Sequence, residues 1–262
     1  MAGDAHGARY LDPQYCIRTR LGDRPRPHWP AALLIFRDHC ASHRVMELLG
    51  GARPIDYRVF YDLGYEGQQP VMFEGEVAGR PIAIGAACVW GGPQTAILVE
   101  ELACLGARHI LGLGACGSLV ASLPQNSLVV CDRALPTDGI SRAYGVTLPM
   151  QASAGLLDAA PRAGDDLGLE VHTATGAGVD ALYRETEALI GDLRGQGAQV
   201  VSLETSALYA TCAACGVEGL WLGCVSDCLV AEEWQHWYID LRTATEQLGL
   251  LCRHILEGLG GG

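Results

Sequence analysis

Residues 91–119 read GGPQTAILVEELACLGARHILGLGACGSL. Gly91-Gly92-Pro93 marks a loop, and the apolar run from about Gln94 to Leu105 predicts a helix. His109–Leu113 then predicts a buried strand. The run Gly112-Leu113-Gly114-Ala115-Cys116-Gly117 matches G-x-G-x-x-G after a strand, the pattern of dinucleotide binding. That chemistry requires a long helix to start there, with its first amides facing a pyrophosphate. Instead Pro124, Gln125 and Asn126 interrupt the chain before the next strand at about Ser127. No acid stands clearly at the expected distance, about 20 residues on. A tight glycine-rich turn, where backbone approaches a ligand closely, is the better expectation.

Outward from this stretch, strands and helices alternate. Strands are predicted at Ala31–Phe36, Ser127–Cys131, Leu169–Ala174, Val200–Leu203 and Leu220–Val225. Val71–Val77 and Pro81–Ala87 flank Ala78-Gly79-Arg80 and predict a hairpin. Helices are predicted at Ala41–Leu49, Glu185–Leu193, Ser206–Cys215 and from about Ile239 to Leu259. Residues 1–30, rich in Pro, Arg and Asp, read as an irregular arm. The alternation argues for a largely parallel sheet covered on both faces, in one domain spanning residues 1–262.

The 262 residues are 49% hydrophobic and 18% charged, a globular composition. The formal net charge of −12 excludes the basic footprint of a nucleic-acid binder, so a small-molecule substrate is expected. The first residues lack the apolar core of a secretory signal, and no uncharged apolar run of about 18 residues predicts a membrane span. Eleven cysteines, an odd number, then suggest free thiols in a reducing cytoplasm. Cys212-Ala-Ala-Cys215 lies inside a predicted helix rather than at its start, so packing is favoured over redox chemistry. His39, Cys40 and His43 cluster, but no second group has zinc-ligand spacing, and no metal is expected.

Two stretches carry a family resemblance. Residues 91–119 are similar to a run of Gly-Gly-Pro, Glu-Glu-Leu and a strand into G-[TS]-x-G. Residues 200–229, VVSLETSALYATCAACGVEGLWLGCVSDCL, are similar to V-E-M-E-[AS]-A…V-S-D-H. Both belong to the nucleoside phosphorylases and nucleosidases of the purine and uridine phosphorylase superfamily. Glu204 and Asp227 lie 23 residues apart (227 − 204), and Tyr183 lies 21 before Glu204 (204 − 183). Both spacings agree with the bacterial hexameric purine enzymes.

The resemblance implies a three-layer α/β/α fold around a mixed, partly barrel-like sheet, no cofactor, and a homo-oligomer with sites at subunit interfaces. It places Glu204 under the ribose 2′- and 3′-hydroxyls, a task that suits a carboxylate because it accepts two hydroxyl donors at once. The ordinary alternative is a helix-capping acid, since Glu204 precedes a helix. Asp227 matches the aspartate that protonates the purine, with a strand-end cap as its alternative; Arg242, two residues out of register, is the candidate to support it. Leu203 stands for the methionine under the sugar, and Ser202 where many members carry a second glutamate. Tyr183 and Leu182 fall where aromatic residues meet base and sugar, and Cys88, Trp90 and Gly91 are assigned to the same pocket.

The phosphate machinery is where the pattern breaks. The Gly-Asp-Pro loop reads Phe36-Arg37-Asp38-His39, the arginine before G-[TS] is Gly112, the Ser or Thr is Ala115, and the arginine lent by a neighbouring subunit falls near Gln68. Arg37, Arg44 and Gly114 are the candidates for a rebuilt anion site. The histidine for the sugar 5′-hydroxyl appears as Cys16. Three readings follow: a nucleosidase using water, a phosphorylase with a rebuilt phosphate site, and a non-catalytic nucleoside binder. The retention of Glu204 and Asp227 disfavours the last, because a binder needs no acid.

Overall fold

The computed structural model describes residues 9–36, 39–55, 72–86, 91–230 and 241–259. The segment quoted first forms α3 (Gly91–Cys104) and β5 (His109–Ser118). Around them the described residues form β1 (Ala31–Ile35), α2 (His39–Leu48), β2 (Arg53–Pro54), β3 (Met72–Val77) and β4 (Arg80–Gly85). Beyond β5 come β6 (Leu128–Leu135), α4 (Gly139–Ala143), β7 (Met150–Gln151), α5 (Ala154–Leu167) and β8 (Val171–Gly178). The chain continues through a 3-10 turn (Leu182–Arg184), α6 (Glu187–Gly195), β9 (Val200–Ser202), α7 (Thr205–Cys215), β10 (Glu218–Cys228) and α8 (Leu241–Gly258).

The strands make one sheet in the order β10-β6-β8-β9-β5-β1-β4-β3-β2, and β10 also pairs with β5. That extra ladder closes β5, β10, β6, β8 and β9 into a five-stranded ring, with β1 to β4 continuing as an open wing. The sheet is mixed rather than largely parallel. β5 runs parallel to β1 and β10 but antiparallel to β9, and β10 runs antiparallel to β6. Three-residue β9, parallel to β8 but antiparallel to β5, joins the two strand directions, which alternation alone does not reveal. Helices α3, α4 and α7 pack together, with α1 against α3, while α2, α5 and α8 form a second group. The sheet is the middle layer between them. Beneath α6 a smaller apolar cluster joins Leu135, Val179, Ile190, Leu193 and Val201.

Three further sequence expectations need correction. The arm is not wholly irregular: Pro13–Leu21 forms α1, whose N-cap Asp12 accepts from the Gln14 amide and whose end is closed by Gly22 at φ 55°. Cys16, on this helix, is buried. Helix α5 was not expected at all. It holds Pro161 and Gly164 in its interior, and glycine and proline there argue against a helix until tertiary packing overrides them.

The third correction concerns the glycine-rich run. It is no turn. β5 passes straight through it, and the glycines make room for aromatic rings. A Cβ at Gly112 would lie 2.8 Å from the Phe36 ring and 3.2 Å from Trp221, and one at Gly114 would lie 3.1 Å from Trp221. Trp221, on neighbouring β10, is fully buried. Gly112→Ala is therefore expected to overpack the ring at a cost of about 1–3 kcal/mol, lowering the thermal midpoint by about 2–4 °C for each kcal/mol. A melting curve matching the unsubstituted protein would contradict that account.

Candidate active site

The ring brings the ends of four strands to one rim. Along the ladders, Gly178 of β8 lies opposite Ser202 of β9, Val201 opposite Gly117 of β5, and Gly117 opposite Asp227 of β10. Glu204 follows the end of β9 by two residues, and Asp227 lies near the end of β10. The two acids therefore approach β5 from its two sides.

Glu204 is 6% exposed. It occupies the N-cap position of α7 yet makes no side-chain capping bond. Its Oε1 instead accepts the backbone N–H of Gly91, at the start of α3, at 2.8 Å. Gly91 has φ 75°, a left-handed conformation that glycine adopts without strain, so this residue type helps aim the amide. Burial pushes the Glu204 carboxyl up to about 7, against the opposing pull of the Gly91 and Leu203 amides. A carboxylate has about four acceptor positions, so two amides leave capacity for hydroxyl donors.

The capping task falls to Ser202. Its Oγ accepts the N–H groups of Thr205 (3.0 Å) and Glu204 (3.3 Å) and meets Thr205 Oγ1 at 2.5 Å. This hydroxyl holds the turn that presents Glu204. Leu203 is half-buried and packs on the small cluster beneath α6.

Asp227 is 7% exposed. Ser226 donates to its Oδ1 at 2.6 Å, with the same Oγ 3.1 Å from the Cys116 carbonyl. The Gln125 amide donates to the Ser226 carbonyl at 3.0 Å. The β10–β5 register shifts between Val225 and Asp227, a bulge of the kind that re-aims side chains beside sites. A Cβ at Gly117 would lie 3.6 Å from Asp227 Oδ2, so glycine there leaves the carboxylate space.

The other candidates are more widely spread. Arg242, in the first turn of α8, is exposed. Arg44 is held on the surface between α2 and α8, 2.8 Å from both Glu47 and Glu246. Its guanidinium is committed to two carboxylates rather than open to an anion. Gly114 is buried beneath Trp221. Tyr183 is 97% and Leu182 40% exposed, on the turn after β8. Arg37, Gln68, Cys88 and Trp90 lie outside the described residues. Among the described residues no three His, Cys, Asp or Glu side chains converge as a metal site. Cys212 and Cys215 lie within α7, and burial raises both thiols, Cys215 to about 12, which opposes thiolate chemistry.

One group was missed. Glu185 is half-buried, and burial together with the charge of Asp227 pushes its carboxyl up to about 7. In the sequence it reads as an acid at a helix start, favoured there by the helix dipole. The influence of the Asp227 charge on it has no local signal in the sequence.

Residues 59–257 match the profile of the phosphorylase superfamily, and the chain belongs to that family. Uridine phosphorylase of Thermococcus kodakarensis is 28% identical over 165 residues, 58% of this chain and 58% of that protein. The matched region spans about three fifths of the length of the first curated relatives. Two solved structures share the fold. Purine nucleoside phosphorylase from Toxoplasma gondii, in complex with immucillin-H, superposes with a TM-score of 0.73 at 21% identity, covering 89% of this chain and 96% of that one. The Campylobacter jejuni 5′-methylthioadenosine/S-adenosyl homocysteine nucleosidase gives 0.73 at 15% identity, covering 88% and 99%. The three-layer fold with its partly closed mixed sheet is that of these proteins.

Proposed function

We propose that this protein cleaves the N-glycosidic bond of a purine nucleoside and releases the free base, with water as the nucleophile. The observation that carries the reading is the pair of buried acids on one rim, Glu204 and Asp227, set on opposite sides of β5. Glu204 accepts the vicinal sugar hydroxyls and fixes the sugar. Asp227 supplies a proton to the ring nitrogen as the glycosidic bond breaks, relieving the charge that gathers on the departing base. Neither step needs a metal or cofactor.

Water is favoured over phosphate for a structural reason. Phosphate needs bidentate guanidinium groups and amide donors. The space beside Gly112, where the family resemblance puts an arginine, is filled by Phe36, Leu208 and Trp221. Arg44 is spent on Glu47 and Glu246. Ala115 offers no hydroxyl. A dianion would meet too few donors to replace its hydration.

The test is a panel of purine nucleosides, incubated with and without phosphate, with free base and sugar 1-phosphate measured. Base released at equal rates in both conditions, with free sugar as co-product, is expected. Saturation by phosphate with formation of sugar 1-phosphate would replace hydrolysis by phosphorolysis. Binding without any base release would leave only a nucleoside-binding protein.

We further propose that the working form is a homo-oligomer. Tyr183 and Leu182 expose apolar surface on the turn beside the site, and a second copy covering them would complete the pocket. Sedimentation at micromolar concentration is expected to give a mass above that of one chain, 27.8 kDa.

A further inference from the structure

Helix α4 has five residues, too few to persist unless its surroundings hold it. Its first turn is tied on two sides. Asp138 Oδ1 accepts the Ser141 amide at 2.5 Å, and Asp180 Oδ2, from the turn after β8, accepts the Gly139 amide at 2.7 Å. Just before the helix, Thr137 Oγ1 donates to the Gly178 carbonyl at 2.6 Å. Asp138 is 1% exposed, and burial pushes its carboxyl up. A buried acid is a costly cap where an exposed Ser or Asn would serve.

What α4 holds is the first turn of α3. A Cβ at Gly92 would lie 2.9 Å from Ile140 Cγ1 of α4 and 3.2 Å from Ala207 Cβ of α7. Gly92 is thus gripped by both helices, with no room for a side chain. Its neighbour Gly91 donates the 2.8 Å hydrogen bond to Glu204, three residues before Ala207. Between Glu204 and Ala207 stands Ser206, whose Oγ donates at 2.7 Å to the Leu135 carbonyl, at the end of β6 that leads to α4. Donor and acceptor of the Gly91–Glu204 bond are therefore both fixed from the side of α4.

We propose that α4 is a positioning element of the sugar site: Ile140, closing on Gly92 beside Ala207, holds the Gly91 amide against Glu204, and Asp138 and Asp180 hold Ile140 in place. This rests on the sugar-binding role given to Glu204 above. No residue of α4 touches the substrate. Packed interiors transmit strain, and a group misplaced by about 1 Å can cost on the order of 10²-fold. Without the Ile140 side chain the start of α3 gains room to shift, and Glu204 loses the amide that orients it.

The experiment compares kcat/KM for a purine ribonucleoside and its 2′,3′-dideoxy counterpart, since only the first offers hydroxyls to Glu204. The ratio is measured in the unsubstituted protein and in Glu204→Ala, Ile140→Ala, Ile140→Val, Asp180→Ala and Asp180→Asn. Glu204→Ala sets the full loss of discrimination, about 5- to 150-fold. Ile140→Ala is expected to reduce the ratio by roughly fivefold. Ile140→Val, which keeps a γ-carbon for Gly92, is expected to restore it. Asp180 is exposed, so its variants spare the core. Asp180→Ala is expected to reduce the ratio by about two- to threefold, and Asp180→Asn, which still accepts from Gly139, to leave it unchanged. An unchanged ratio in Ile140→Ala, with both substrates slowed equally or not at all, overturns the role of α4; if that variant does not fold, an unchanged ratio in Asp180→Ala overturns it. An unchanged ratio in Glu204→Ala overturns the sugar role of Glu204 and this inference with it. Cleavage of neither nucleoside by the unsubstituted protein overturns both together with the proposed function.

Discussion

Asparagine in place of Asp227 is expected to slow purine release by about 10²–10⁴-fold, the usual contribution of one general acid. The substitution isolates the proton. Asparagine has the same outline, and its carbonyl oxygen can still accept from Ser226, whose hydroxyl lies 2.6 Å from Asp227 Oδ1. The bulge in β10 and the space provided by Gly117 are unaffected. What the amide cannot do is transfer a proton to a departing purine. The loss is expected in kcat, with KM changed little, because the interaction is made mainly as the bond breaks. A ribonucleoside analogue whose leaving group departs without protonation provides the control, and its cleavage is expected to survive. Equal losses on both substrates would mean that the variant damaged the site rather than the acid. Wild-type rates on a purine nucleoside would remove Asp227 from the chemistry.

The second large effect is expected at Glu204. Alanine removes the acceptor for two sugar hydroxyls at a cost of about 1–3 kcal/mol, which is roughly 5- to 150-fold in kcat/KM. Glutamine gives a sharper signature, in pH dependence. Burial raises the Glu204 carboxyl from 4.5 to about 7. A carboxyl raised on folding stabilises the protein fully below its unfolded value, and this stability is lost as pH rises through the folded value. The unliganded protein is thus expected to lose on the order of 3 kcal/mol between pH 4.5 and about 7 through this group alone. Glu204→Gln removes that loss while its side-chain oxygen still accepts from Gly91. The gap between melting midpoints at pH 5 and pH 8 is expected to narrow in the variant, with Glu185 accounting for part of what remains, and the pH 8 midpoint is expected to rise above the unsubstituted value. Substrate binding uses the ionised form, so kcat/KM of the unsubstituted protein is expected to climb through pH 7. Identical pH profiles for the protein and Glu204→Gln would show that Glu204 carries no such charge.

The two candidate acids were singled out in the sequence because each sits in a local motif, Ser-Leu-Glu-Thr-Ser or Val-Ser-Asp, and because their spacing is a chain property; the structure buries both, and their roles are proposals. The helices and most strands were legible for the same reason, since apolar periodicity is local. What escaped was set by contacts between distant segments. Gly112 and Gly114 look like a turn until Trp221, more than 100 residues on, is seen to occupy the space above them. Arg44 reads as a free cation until Glu246 arrives from α8. Helix α5 is concealed by Pro161, which only a packed helix tolerates. Ser202 reads as a substitution that lost a sugar contact, whereas its hydroxyl holds the turn that aims Glu204.

The ladder between β5 and β10 has a consequence for how the molecule is made. Its first paired residues, His109 and Glu218, are separated by 109 positions (218 − 109). Such contacts give a high contact order, and chains dominated by them fold slowly because closing the long loop costs entropy before any contact repays it. On the ribosome, β5 can pair with β1 as soon as it emerges, but its other side stays without β10 until that last strand has been synthesised. During that interval an apolar strand edge is exposed, the kind of surface on which nascent chains aggregate. Chaperone demand during synthesis is therefore expected to follow the time taken to make residues 119–228, and shortening that delay to raise the soluble yield.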